Sequence, residues 1–295
     1  MRSTSSGRPG VLSRRRRQAV GLALSATFWF APLGAVWAQD GQAGAERPLT
    51  VSEPCPATPE ALVKWRAVIG EPPAPTAEDR QAYDRYVRVL QVNDWAYLCR
   101  YRDENRALGA DRPRVVLIGD SITENWKQRD PGLFVDGVVD RGVSGQTSPQ
   151  MVLRFYQDVI ALRPGVVHIM AGTNDIAGNT GPTRDAQFQD NIKLMVDLAQ
   201  AHGIKVILAS IPPAKAFYSR PGARPAQRIR AWDDWLRAYA RERDLVFVDY
   251  YPVLADSEGG LRSDLGSDGV HPSRAGYELM DPLFQAALVQ AERRP

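Results

Sequence analysis

A serine, an aspartate and a histidine stand where they could act as one chemical unit. Ser121 ends the stretch VVLIGDS, in which an apolar run passes straight into Gly-Asp-Ser. Asp268 and His271 lie far downstream, in SDGVHPS. A serine hydroxyl becomes a useful nucleophile when a neighbouring base takes its proton. In a loop Asp-x-x-His, the carboxylate can hold one ring N–H and leave the other nitrogen free as that base. A carbonyl attacked by such a serine develops an oxyanion, which needs fixed donors. Ser121 N–H is available at a helix start, and Gly145 N–H has no side chain in its way. The Asn174 amide, in GTNDIAGN, is a third candidate. Each residue also has an ordinary reading. Gly-Asp-Ser is common turn material, Gly145 can serve a turn, and Asn174 can cap a helix. The other two histidines read as structural. His168 sits inside the apolar run VVHIM, and His202 precedes Gly203 at a helix end.

Elements must bring these residues together. Apolar runs at RVVLIG, VVDRG, GVVHIMAG, KVILASI and LVFVDY read as five strands. Helical periodicity fills the intervals, in SPQMVLRFYQDVIAL, RDAQFQDNIKLMVDLAQAHG, RPAQRIRAWDDWLRAYARERD and SRAGYELMDPLFQAALVQAERR. Strand runs without clean alternation suit a parallel sheet covered on both faces. The pattern predicts an α/β fold, a three-layer α/β/α sandwich around a five-stranded parallel sheet. With strand order 2-1-3-4-5, the first and third strands flank a topological switch point. Ser121 and Asn174 would face each other there, with the loop after the second strand closing one side.

Four blocks now stand in order: Gly119-Asp120-Ser121, Ser144-Gly145-Gln146-Thr147, Gly172-Thr173-Asn174-Asp175 and Asp268-Gly269-Val270-His271-Pro272. Together they resemble the SGNH, or GDSL-type, hydrolases over about residues 114–290. Ile122 replaces the leucine common in the family's first block. The resemblance implies a flavodoxin-like core and a serine esterase. It makes Ser121 the nucleophile and Asp268 and His271 the rest of a catalytic triad. Ser121 N–H, Gly145 N–H and Asn174 become the oxyanion hole. GVSGQTS and GTNDIAGN look similar to the branch of platelet-activating-factor acetylhydrolase-like and lysophospholipase-like esterases. The same core also serves carbohydrate acetylesterases and thioesterases. Ser144 reads as loop scaffolding. No G-x-S-x-G surrounds Ser121, which disfavours the larger α/β-hydrolase fold. Trp126, Phe217 and Tyr218 are candidates for the walls of the substrate pocket; Trp126 is equally a core residue, and the loop of Phe217 and Tyr218 equally a plain surface loop.

The chain's ends and composition bound the rest. Of 295 residues, 44% are hydrophobic and 24% charged, which excludes a disordered or fibrous chain. Residues 1–38 run from a basic segment through AVGLALSATFWFAPLGAVWA, the pattern of a secretory signal cut after Ala38. An uncleaved amino-terminal anchor is the other reading. Removing Arg2, Arg8 and Arg14 to Arg17 turns the formal charge of +3 into about −3. The basicity therefore gives no support for a nucleic-acid partner. Residues 39–56 read as a linker, 57–110 as a helical extension, and 111–295 as the catalytic domain. Cys55 and Cys99 are the only cysteines. In an exported chain an even pair suggests a disulfide, with two buried thiols as the alternative. Three scattered histidines without an Asp-x-His pair disfavour a metal-dependent phosphoesterase, and no metal or cofactor is expected. The expected function is an exported, periplasmic or secreted serine esterase acting on acyl or acetyl esters of small molecules, glycans or lipids. A binding protein on the same fold that has lost catalysis is the alternative.

Overall fold

Why a run such as VVLIG must be a buried strand is plain from its packing. In the computed structural model, which describes residues 55–66, 68, 76–217 and 224–294, all five residues of Val115–Gly119 are buried. Val115 and Leu117 point into one hydrophobic cluster, Val116 and Ile118 into another. The strand is therefore covered on both faces, as a parallel strand must be. The expected signal, and the linker apart from Cys55 and Pro56, lie outside the described residues.

The elements run in chain order. An amino-terminal part holds α1 (Glu60–Arg66), α2 (Ala77–Asn93) and α3 (Arg102–Leu108). The alternating part follows with β1 (Val115–Gly119), α4 (Ser121–Arg129), β2 (Val138–Gly142), α5 (Ser148–Phe155), β3 (Val166–Met170), α6 (Thr173–Ala177) and α7 (Asp185–Ala201). It closes with β4 (Lys205–Ala209), α8 (Ala226–Glu242), β5 (Val246–Val248), α9 (Tyr251–Leu254) and α10 (Arg274–Arg293). The five strands form one parallel sheet in the order β2-β1-β3-β4-β5. Apolar residues of α5, α7 and α8 cover one face, and those of α4 and α10 cover the other. The three-layer α/β/α sandwich and its strand order are as the sequence predicts. Among the described residues no helix is long and apolar enough to cross a membrane.

Two elements differ from expectation. The helix expected across SPQMVLRFYQDVIAL is α-helical only to Phe155, and Tyr156–Ile160 widens into a π turn. There Ala161 N–H reaches back five residues to the Tyr156 carbonyl, at 2.8 Å. The wider turn carries Asp158, fully buried beside the equally buried Arg154 at 3.1 Å. The fifth strand is shorter than LVFVDY, because the Ser210 hydroxyl captures Tyr250 N–H at 2.8 Å and Asp249 captures Tyr251 N–H at 3.2 Å. The chain turns there into α9. In the amino-terminal part, a disulfide joins Cys55 to Cys99 across 44 positions.

Candidate active site

The site grows from the carboxyl edge of the sheet. Asp120 separates β1 from α4 and caps the helix, accepting Ile122 N–H on Oδ1 at 2.9 Å. Ser121 is the first residue of α4, so its side chain stands at the sheet's edge, partly open to solvent. Gly119 makes this junction possible. A Cβ there would lie 2.0 Å from Thr123 Oγ1 and 2.9 Å from the Met170 carbonyl. Only glycine lets α4 start so close to its strand.

The loop between α9 and α10 delivers the partners. Ser121 Oγ lies 2.8 Å from His271 Nε2. His271 Nδ1 lies 2.6 Å from Asp268 Oδ2. The other carboxylate oxygen accepts Val270 N–H at 2.9 Å and His271 N–H at 2.8 Å. Burial pushes the Asp268 carboxyl up, but the His271 ring and these backbone donors outweigh it and hold it well below the ordinary carboxylate range. The loop itself is pinned, since Lys215 N–H donates to the Gly269 carbonyl at 3.1 Å. Serine, imidazole and carboxylate thus form an unbroken hydrogen-bonded line.

On the far side of Ser121 the donors are arranged by β2 and β3. Gly145 follows β2 with φ of +80°, a backbone state that side chains resist. Asn174, on α6 after β3, is buried. Its Nδ2 donates to Asp120 Oδ2 and to the Gln146 carbonyl, each at 3.1 Å. Both amide hydrogens are therefore engaged, and a bound anion would take over or share one of them. Burial pushes the Asp120 carboxyl up to about 6. The Asn174 amide is oriented by Asn179, whose Nδ2 donates to Asn174 Oδ1 at 2.8 Å and to the Gly145 carbonyl at 3.2 Å.

Not every pocket candidate is here. Trp126 is fully buried in the layer formed with α10, stacked on Tyr277 with ring centroids 5.5 Å apart. Its Nε1–H donates to Asp281 at 2.7 Å. It is a core residue and does not wall the site. Phe217 is likewise buried, packed in the cluster that α7 and α8 share. Tyr218 lies outside the described residues. His168 is buried in β3 against the Tyr250 hydroxyl at 3.0 Å, and burial lowers its imidazole to about 3. A cleft of about 450 Å³ opens beside Asp268, lined also by Lys215, Asp256, Arg262, Ser263 and Asp264.

Sequence reasoning missed several supports. Asn179 had a signal, since it ends the GTNDIAGN block five residues after Asn174. Glu124 had a weaker one, as an acid on the first turn of α4. It is buried and accepts the Ser144 N–H at 2.8 Å and the Ser144 hydroxyl at 2.6 Å. Among the described residues no cluster of histidine, cysteine and acidic groups is arranged to hold a metal.

Comparison with known proteins agrees with this fold. The profile of the GDSL-like Lipase/Acylhydrolase family matches residues 117–279. A GDSL-like lipase of Bacteroides thetaiotaomicron is 41% identical, with a TM-score of 0.65 over 67% of this chain and 100% of its own. An acetylxylan esterase of Geobacillus stearothermophilus is 27% identical over 58% of this chain and 91% of its own length. The uncharacterized lipoprotein YqeF of Bacillus subtilis is 29% identical over 51% of this chain and 75% of its own length.

Proposed function

The chain belongs to the GDSL-like lipase/acylhydrolase family, the SGNH hydrolases, and we propose that it cleaves carboxylic esters through an acyl-enzyme on Ser121. Carboxylic ester hydrolysis is the family's chemistry; the residue roles are the proposal. The observation that carries it is the line Ser121–His271–Asp268, closed by contacts of 2.8 and 2.6 Å. Ser121 Oγ attacks the acyl carbon as its proton passes to His271 Nε2. Asp268 holds the opposite ring N–H and stabilises the imidazolium. The oxyanion is met by the N–H groups of Ser121 and Gly145 and by the Asn174 amide, which turns from Asp120 or Gln146. The carbon–oxygen bond to the alcohol then breaks, and the alcohol leaves with the proton from His271. Water gives its proton to the same nitrogen and attacks the acyl carbon; the bond to Ser121 Oγ breaks, Oγ takes the proton back from His271, and the acid leaves.

The substrate we favour is a short acyl ester, such as an acetyl group, on a polar, hydroxyl-rich alcohol. The acetylxylan esterase relative supports this choice. Hydrolysis of 4-nitrophenyl esters from acetate to octanoate tests it, together with acetylated xylo-oligosaccharides. Activity falling steeply with chain length is expected, and a preference for octanoate would overturn the substrate class. Export is also proposed, to the periplasm or beyond the cell. The signal pattern of residues 1–38, the disulfide and the lipoprotein relative support it. The amino-terminal sequence of the purified protein should begin at Gln39, and a retained Met1 would point to the anchor instead.

A further inference from the structure

The segment between α2 and α3 grips the oxyanion side of the site at four places. The Trp95 carbonyl accepts from Gln150 Nε2 at 2.7 Å, and the Ala96 carbonyl accepts from Gln146 Nε2 at 2.9 Å. Arg100 Nη2 reaches Glu124 Oε1 at 3.3 Å, beside Arg66 Nε at 2.9 Å. The Tyr101 hydroxyl donates to the Gly142 carbonyl at the end of β2. Tyr101 is itself buried between two guanidiniums, with Arg100 4.1 Å and Arg141 4.6 Å from its ring centre. Gly142 precedes Gly145 in the chain, Gln146 and Gln150 follow it, and Glu124 holds the adjacent Ser144.

The chain of contacts has a direction. A buried carboxylate without a cation gives up its charge. Burial pushes the Glu124 carboxyl up, yet Arg66, Arg100 and Ser144 outweigh it and hold it below its ordinary value. It therefore stays charged and grips Ser144 with two charge-assisted bonds. Ser144 is held on one side of Gly145. On the other, Asn179 holds the Gly145 carbonyl and Gln146 N–H closes a turn on Val143 at 3.2 Å. The peptide between these clamps carries the Gly145 N–H.

We propose that residues Trp95–Tyr101 are a positioning element for ester hydrolysis: Arg100, through Glu124 and Ser144, and Tyr101, through Gly142, aim the Gly145 N–H at the oxyanion. This rests on the reading of Gly145 as an oxyanion donor. The segment lies outside residues 117–279, the span that matches the family.

The test uses the full chain and two variants, Tyr101→Phe and Arg100→Met, with 4-nitrophenyl acetate. Rates are taken well below each melting midpoint and per active site counted by burst titration. The expected result is a fall in kcat of about 10- to 100-fold, with KM within about twofold, because a donor displaced by an ångström loses its effect only in the transition state. Affinity for methylboronic acid, which forms a tetrahedral adduct on serine, should fall by the same factor. Arg100→Lys should recover part of both. A merely structural role would lower the melting point and leave kcat per site and adduct affinity unchanged. Tyr101→Phe removes a single oxygen and decides the matter if Arg100→Met does not fold. Ser121→Ala runs in parallel. If it stays active, the underlying site reading fails; if it is silent while both variants keep parental kcat and adduct affinity, the positioning inference alone falls.

Discussion

At the scale of single residues, the hydrogen-bonded line Ser121–His271–Asp268 was legible through the chemistry proposed for it, which constrains residue type. Few side chains can act as nucleophile, base and orienting acid, yet Gly-Asp-Ser and Asp-x-x-His are each ordinary alone, and it was four blocks in order that singled out Ser121, His271 and Asp268. Ser121→Ala should lower kcat/KM at least about 10⁴-fold with the melting point unchanged, since it removes the atom that bonds to the substrate. Asp268→Asn should cost less, about 10²–10⁴-fold, because the Asp268 side chain is 53% exposed and water can partly replace it. Aromatic candidates were less legible. Trp126 and Phe217 carry no polarity that distinguishes a pocket wall from a core, and packing alone put both inside. Asp233 could not have been singled out at all. Its Oδ1 accepts Ile211 N–H at 2.7 Å, and burial pushes its carboxyl up to about 8. The folded protein holds this proton where the unfolded chain has released it. Stability therefore falls as pH rises from about 4 to about 8. Asp233→Asn keeps the acceptor and removes the charge. Thermal melts should show it level with the parent at pH 4 and more stable at pH 9.

At the scale of elements, apolar runs such as VVLIG gave the strands and periodicity the helices between them, while the order 2-1-3-4-5 entered only as a condition that the sheet then met. Neither could give the π turn. Tyr156–Ile160 is fixed by where Asp158 must sit, and that depends on Arg154, Asn105 and the sheet edge together. Arg154 is fully buried and donates to Gln146 Oε1, Asp158 Oδ2 and the Gly119 carbonyl, at 2.5, 3.1 and 2.9 Å. Asn105 Nδ2, from α3, donates to Asp158 at 2.7 Å. Arg154→Met should destabilise the protein by about 3–5 kcal/mol in urea titrations, because it leaves a buried carboxylate without its cation. The bracing of the site by residues 95–101 was equally hidden. Its grips use backbone carbonyls and glutamine side chains, which any surface loop also has.

At the scale of the molecule, the disulfide joins the start of the amino-terminal part to the segment that touches the site. It closes a span of 44 positions. A cross-link of that reach stabilises by about 4 kcal/mol in the chain-entropy model. Cys55→Ser with Cys99→Ser should lower the calorimetric melting point by about 10 °C or somewhat more. The distances along the chain carry a different consequence, one of timing. The grips on the loop after β2 join residues 41 to 55 positions apart. Ser121 and His271 are 150 apart. Shorter closures cost less entropy and form sooner. A chain growing from its amino terminus can therefore close the contacts of residues 95–101 with Gly142, Gln146 and Gln150 before Ser121 meets His271. On the reading proposed above, the hydroxyl gains its base only at that last and longest closure.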